Sequence, residues 1–434
     1  MPNSVLQTRL ENGLLVQLKE IHSAPLISHW VWYRVGSRDE ARPRTGLSHW
    51  VEHMQFKGTP TYPASVLDKT IPRDGGIWNA FTYLDWTTYF ETMPADKIEL
   101  ALDLEADRMF HSLFDPQEVE SERTVIISER EGSENEPLFR LGEAIQNAAF
   151  DHHPYHTEVI GEKEDLHTIT RDDLYQHYRT YYVPNNAVVA LAGDFDAEAM
   201  LARLQHVYAV LPAGPTPPHP AQPEPPLTAE RHIELTGPGQ TTYLQLSYRA
   251  PAAAEDDFFA LTVLDSLLTG PTGLNMFGGG GISNKTSRLY RNLVERELAI
   301  SVNGGMQATL DPFLYDITIT IHPDKSYHQA LAAIDQEIQA LQDHLVSSDE
   351  IARAVKQARA LFAYGSENIT NQAFWLGYAE MFATYAWFEQ YVERLQAITP
   401  ADVQRVAQTW LASHRRVTGV YLPQGDQPEE TQEE

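Results

Sequence analysis

Apolar residues alternate with polar ones from Leu14 to Lys19 and again from Leu26 to Val35, in stretches that draw on Val, Ile, Trp and Tyr. A period of two buries one face of an extended chain, so both stretches predict half-buried strands. From Gly46 to Phe56 the apolar positions move to helical spacing. The same order returns farther on, with a strand pattern over Tyr243 to Tyr248 and helical spacing over Asp257 to Leu268, which suggests an internal duplication. Further helices are predicted at Ala95 to Phe110, Pro116 to Arg130, Arg171 to Tyr181, Lys325 to Gln342 and Ser348 to Tyr364, and a strand at Ala187 to Gly193. Strands and helices mix without the strict βαβ rhythm of a parallel sheet, so the expected class is α+β. Trp30, Trp32 and Tyr33 sit inside a strand pattern and read as core or sheet face.

The stretch Leu211 to His232 is dense in proline, which fixes φ and removes backbone donors, and reads as a semi-extended linker. A chain of 434 residues exceeds one comfortable core. Two domains are therefore expected, at 1–215 and 233–434, with the linker at 216–232. Four consecutive glycines, Gly278 to Gly281, rule out a compact element there. Their surroundings match no phosphate-cradling pattern, which leaves a loop that contacts substrate or partner and a plain connection as equal readings.

Composition narrows the chemistry. A formal net charge of -28 repels phosphate backbones and anionic lipid headgroups, which argues against nucleic-acid and membrane partners. The absence of cysteine excludes disulfides, a thiolate nucleophile and cysteine-ligated zinc, so any metal must rest on histidine and carboxylate. The first residues show no basic start followed by an apolar stretch, and no run of 18 apolar residues occurs, so a soluble cytoplasmic protein is expected.

The informative stretch is His49-Trp50-Val51-Glu52-His53, inside the predicted helix Gly46 to Phe56. Residues four apart share a helix face, so the two imidazoles can converge on one ion with little strain. Glu52 projects to the same side, where its carboxylate can take a proton from a water that zinc has made acidic. This is the logic of HExxH with the order reversed. A chance pattern on a solvated helix face is the bland alternative. Against it stands the supply of a third ligand, because catalytic zinc takes three protein groups and keeps one position open.

The acidic helix Glu118 to Glu131 offers Glu129 for that role. Glu122, seven positions earlier, falls about 10 Å away along the axis and cannot ligate the same ion. It could line the site and assist or orient the base, although alone it reads as a solvated carboxylate. His152, His153 and His156 form another histidine group, but the intervening Pro154 opposes helical convergence.

With VGSRDE before it and GGIWNAFTYLDWTTYF after it, GLSHWVEHMQFKGTPTYP resembles the pitrilysin family of inverted-motif zinc peptidases. The likeness is to the branch of mitochondrial processing peptidase and its bacterial relatives. HPYHTEVIG and YYVPNNAVVALAGDFD extend it over most of the first half. The resemblance implies two similar α+β domains, each an antiparallel sheet packed by helices, enclosing a cleft. It implies one zinc ion per chain on His49, His53 and Glu129, since the family's third ligand follows the second histidine by 76 positions, as Glu129 follows His53. It also implies that Glu52 and Glu122 are catalytic residues, the latter at the family's accessory position.

The family's GGxxNAxT segment forms an edge strand that pairs with substrate backbone, which carries over to Asn79 and Ala80. Without the resemblance Asn79 reads as a turn residue. In the second half, relatives carry an Arg/Tyr pair that holds substrate. Here SRLYRNLVERELAISV puts Val294 and Ile300 at those places, shifting the gap recruits only Arg296, and no tyrosine follows before Tyr315. The expectation is a metalloendopeptidase acting on peptides, as the metal-bearing chain of a heterodimer with an Arg/Tyr-bearing homologue, or otherwise as a homodimer. The rival from another class is a non-catalytic scaffold subunit.

Overall fold

The computed structural model describes residues 5–219, 223–274 and 282–424. The glycine run Gly278 to Gly281, with its two open readings, lies outside the described residues. The chain forms two compact units. One comprises Met1–Glu131, His152–Pro223 and Ser366–Glu389, and the other Gly132–Asp151, Glu224–Gly365 and Gln390–Glu434.

The first unit is built on a six-stranded sheet of β1 (Leu6–Arg9), β2 (Leu15–Glu20), β3 (Leu26–Tyr33), β4 (Ile77–Thr82), β5 (Thr87–Pro94) and β6 (Ala187–Gly193), in the spatial order β1-β2-β6-β3-β5-β4. The sequence of β6, AVVALAG, is buried along its whole length because it runs between β2 and β3. A strand covered on both faces has no need to alternate. β4 pairs with β5 alone and forms an edge of the sheet.

The second unit holds β7 (Arg231–Gly237), β8 (Tyr243–Arg249), β9 (Ala299–Met306), β10 (Leu314–Ile321) and β11 (Arg416–Pro423), in the order β7-β11-β8-β10-β9. With β1 set aside, the two sheets share one topology. The opening strand runs parallel to the closing strand, β2 to β6 and β7 to β11, and the other pairings are antiparallel. Each sheet is therefore antiparallel apart from one parallel pair. The closing strand arrives from a helix, Arg171–Tyr181 or Pro400–Trp410, as a parallel neighbour requires.

The units depart from the expected contiguous halves at two segments. The helix Ile369–Phe382 packs on β3, β6 and β2 of the first unit, and the helix Pro137–Ala149 packs on β11, β7 and β8 of the second. Each half thus gives one sheet-covering helix to the other unit. Ile369–Phe382 is buried on nearly every side, so its residue pattern does not reveal which sheet it covers. Among the described residues no helix is long and apolar enough to cross a membrane.

Both covering helices approach their sheets through a glycine. A Cβ on Gly377 would stand 2.1 Å from the indole of Trp32, and one on Gly419 would stand 2.5 Å from the Ile145 Cδ1. The Trp32 ring cannot yield, because Trp86, Phe374 and Trp30 flank it at 5.0, 5.4 and 5.5 Å. A Cβ on Gly419 would meet Ile145 Cδ1 and Cγ1 and the Leu141 Cδ1 at 2.5, 2.8 and 2.9 Å, all on aliphatic side chains with rotatable bonds. Gly377→Ala is expected to lower the urea midpoint, since overpacking costs about 1–3 kcal/mol against about 1 kcal/mol of regained helix propensity. Gly419→Ala should shift it much less. A Gly377→Ala midpoint at or above the parent value would contradict the close packing.

Candidate metal centre

The helix Leu47–Met54 carries the HWVEH sequence and is fixed at its start by a buried carboxylate. Glu40 accepts the backbone N–H groups of Gly46 and Ser48, each at 2.6 Å, so its carboxyl oxygens satisfy donors at the start of the helix. Burial pushes the Glu40 pKa up to about 8, against the pull of those donors. Gly46 has φ near 90°, and a Cβ there would lie 2.7 Å from the Ile160 carbonyl oxygen. Only glycine fits that turn without strain.

The helix Pro116–Glu134 supplies the acids. Its buried positions Val119, Glu122, Ile126 and Arg130 repeat at three and four, and Arg123 lays its guanidinium 4.7 Å from the Trp50 ring. The Arg123 side chain also donates to the Ile169 carbonyl at 2.8 Å, so it ties the acid-bearing helix to the histidine-bearing one and to the turn behind them.

His49, His53 and Glu129 offer ligand atoms that all lie within 4.8 Å of one another. Glu129 Oε2 is 3.8 Å from His49 Nε2 and 3.7 Å from His53 Nε2. Two ligands held 2.0–2.1 Å from a tetrahedral zinc stand about 3.4 Å apart, so these two spacings need to close by only about 0.4 Å. Two imidazoles and a carboxylate with no thiolate form a donor set suited to zinc at an open site. Burial and the neighbouring His53 push the His49 pKa down to about 3, which leaves a neutral ring.

Glu122 turns to His53, with its Oε1 2.8 Å from Nδ1, and its Oε2 meets Lys57 Nζ. This contact makes Nδ1 the protonated nitrogen and keeps the Nε2 lone pair toward Glu129. Burial raises the Glu122 pKa, but the bonds to His53 and Lys57 outweigh it and hold the carboxyl below its usual range. Glu122 was expected to line the site and assist or orient the base, and its carboxylate contacts His53 and Lys57. Two helical turns from Glu129, it reaches the far nitrogen of a candidate ligand.

Glu52 is buried, and the Thr82 hydroxyl donates to its Oε2 at 2.7 Å. Burial pushes its pKa up to about 7, against the Thr82 bond and the His53 charge. Thr82 is the last residue of β4, so the edge strand ends beside the carboxylate. Phe56 packs edge-on against Trp78 at 4.8 Å and joins the end of the histidine-bearing helix to the same strand. Asn79 is exposed on β4, Ala80 is buried, and the Asn79 Oδ1 accepts the Ala80 amide N–H at 2.9 Å.

The remaining sequence candidates do not form a second centre. His153 Nδ1 accepts the Tyr155 amide at 3.0 Å, and His156 Nε2 lies 3.1 Å from an Arg42 nitrogen. Among the described residues the group that converges is His49, His53 and Glu129. In the second unit Val294 ends a short π-helical turn, Ile300 is exposed on β9, and Arg296 is exposed between the turn and the strand. Tyr315 is buried and donates its hydroxyl to Asp265 at 2.8 Å. Residue-by-residue reading missed Glu40, Lys57 and Thr82. All three lie in the segments that carried the family likeness, but their types say nothing of a role until the partners are placed.

Two imidazoles and a carboxylate gathered beside a buried glutamate on an α+β unit make a donor set that could hold a divalent metal. The profile of insulinase, peptidase family M16, matches residues 15–163, and that of the peptidase M16 inactive domain matches residues 168–358. Together they span most of the chain, which belongs to peptidase family M16, in agreement with the family-level resemblance in the sequence. An uncharacterized zinc protease of Streptomyces coelicolor is 28% identical over 417 residues, covering 93% of this chain and 86% of that protein. The zinc protease PqqE of Helicobacter pylori is 32% identical over 60% of each chain. A probable mitochondrial-processing peptidase β subunit of Arabidopsis thaliana is 26% identical over 93% of this chain and 76% of that protein.

The fold is also that of solved structures. A protease from Helicobacter pylori superposes with a TM-score of 0.89 at 24% identity, covering 97% of this chain and all of the other. A peptidase M16 inactive domain from Pseudomonas fluorescens gives 0.86 at 18% identity, over 98% and 99% of the two chains.

The Glu122 contact makes a graded prediction. Glu122→Ala should weaken zinc affinity about 10- to 100-fold in competition with a chromogenic chelator, the usual cost of losing such a histidine partner. Glu122→Gln, which keeps an acceptor for Nδ1, should fall between that variant and the parent. Equal affinity in all three proteins would sever Glu122 from the metal.

Proposed function

We propose that this chain is a zinc metalloendopeptidase of the mitochondrial-processing-peptidase-like branch, hydrolysing peptide bonds in extended peptides or oligopeptides. The observation that carries the reading is the convergence of His49, His53 and Glu129 with Glu52 one residue from a ligand and buried. The family membership and the relatives named zinc proteases support it.

His49 Nε2, His53 Nε2 and a Glu129 oxygen would hold the ion. A zinc ion held there would supply a Lewis acid, lowering the pKa of a water and polarising the scissile carbonyl. Glu52 takes the proton of the attacking water and returns it to the departing amine, with Thr82 holding one carboxylate oxygen so that the other is left to carry the proton. Glu122 keeps the His53 ring in its ligating tautomer and is a positioning residue. The free edge of β4, at Asn79 and Ala80, would take an extended peptide by strand addition, a mode that tolerates varied side chains. The Asn79 amide must first leave the Ala80 N–H.

The scaffold reading draws on the inactive-domain match, but that match begins at residue 168 and leaves every candidate ligand outside it. Glu52→Gln is expected to bind zinc like the parent by elemental analysis while peptide hydrolysis falls at least 100-fold. Turnover retained in that variant would remove the general-base assignment, and a parent protein that takes up no zinc would favour the scaffold.

The chain is further proposed as the metal-bearing subunit of a heterodimer whose homologous partner supplies the Arg/Tyr pair. The exposed Ile300 and the buried, hydrogen-bonded Tyr315 support this, and a second copy of the chain would bring the same deficit. Addition of such a partner should raise kcat/KM for a fluorogenic peptide by an order of magnitude or more, since substrate positioning carries much of an enzyme's rate. Full activity of the isolated chain would refute the pairing.

A further inference from the structure

The second unit contains a cavity of about 210 Å³ that the peptidase reading does not use. Two guanidinium groups line it. Arg249 donates to the Ala149 carbonyl at 3.0 Å and lies 4.1 Å from the Phe150 ring, which itself stacks on Phe313 at 5.7 Å. Arg415 stands 5.9 Å from the ring of Trp410 and has no carboxylate partner among the described residues. The Trp410 ring is held in turn, its indole N–H donating to Asp257 at 2.9 Å. Leu227 and Pro312 complete an apolar wall beside it.

Charge counting favours an anion. Glu224 is the acid in the lining, and its Oε1 accepts the Asp151 amide at 2.9 Å. Asp151 is neutralised by Arg231, which bonds both its oxygens at 2.9 and 2.7 Å. Two cations therefore face one carboxylate, a local excess of one positive charge on a chain whose net charge is -28. Burial pushes the Arg249 pKa down to about 10, so the group stays charged at neutral pH while short of solvation. A dianion would exceed the single surplus charge and meet Glu224. A monoanion with an apolar body matches both the charge and the wall, and the small volume limits that body to about one ring.

We propose that this cavity binds a small carboxylate bearing a flat apolar group, with Arg249 and Arg415 receiving the carboxylate and Trp410 and Leu227 receiving the apolar part. Arg249 is held by the Ala149 carbonyl and the Phe150 ring, and the Trp410 wall by Asp257, so little ordering opposes binding. None of these residues belongs to the metal centre, so the site stands independently of the peptidase reading.

Calorimetric titration of the full chain with phenylacetate tests it, in excess chelator so that no carboxylate binds through a metal. One saturable site is expected, with phenylacetamide and acetate each at least tenfold weaker. Arg415→Gln should weaken phenylacetate at least tenfold, Arg415→Lys should recover part of the loss, and the circular dichroism of both should match the parent. Absence of saturable binding, equal binding of acid and amide, or an unchanged Arg415→Gln would each overturn the proposal.

Discussion

The centre depends on holding the histidine-bearing helix Leu47–Met54 at a fixed distance from the acid-bearing helix Pro116–Glu134. Three contacts span that gap. Arg123 on Trp50 sets the spacing by packing, Glu122 on His53 sets the rotation of one ring, and Glu129 lies across both Nε2 atoms. Glu129 alone would not define the geometry, because its side chain is 47% exposed and free to move. Arg123 is bonded to backbone behind the site, so the gap is tied to the body of the unit instead of to mobile side chains.

A second constraint acts from below. Arg108 is buried against Glu105 and Glu91, with its guanidinium 4.3 Å from the Tyr89 ring and 5.5 Å from the Phe56 ring. Phe56 follows the histidine-bearing helix, and Tyr89 lies opposite Ala80 across β5 and β4. One buried cation therefore underlies both the helix end and the edge strand. Removing it would leave two buried carboxyls without a counter-charge, a penalty of several kcal/mol when a buried pair is broken from one side.

Much of this was legible in the sequence, for reasons that differ from element to element. Arg171–Tyr181 and Ser348–Tyr364 are found at the predicted limits because each has a side-chain N-cap, Thr170 or Ser347, completed by an acid three residues on. The ligand spacing was legible because a helix converts i and i+4 into neighbours. The partner of Glu122 was not, since seven positions on one helix fix its distance to Glu129 but nothing about which group it meets on another. The helix Ile369–Phe382 was missed altogether. It is apolar on all sides, so it lacks the polar face from which helical periodicity is read, and it is covered on all sides for the same reason.

The shared topology of the two sheets allows one position to be compared between them, and among the described residues the candidate metal cluster falls in the first. Asp256–Leu268 follows β8 as Leu47–Met54 follows β3, so both helices occupy the same slot between the second and third strands of their repeats. In the first slot the polar side chains reach out of the helix to groups from other elements. In the second the buried Asp265 is used up at home, accepting from Thr269 one turn on and from Tyr315 on β10. Burial pushes its pKa up to about 6, and those hydroxyls oppose the rise. A buried carboxylate bonded by two hydroxyls of its own unit stabilises that unit. The same scaffold position thus carries candidate metal ligands in one repeat and serves cohesion in the other, according to whether its polar groups find partners inside the repeat.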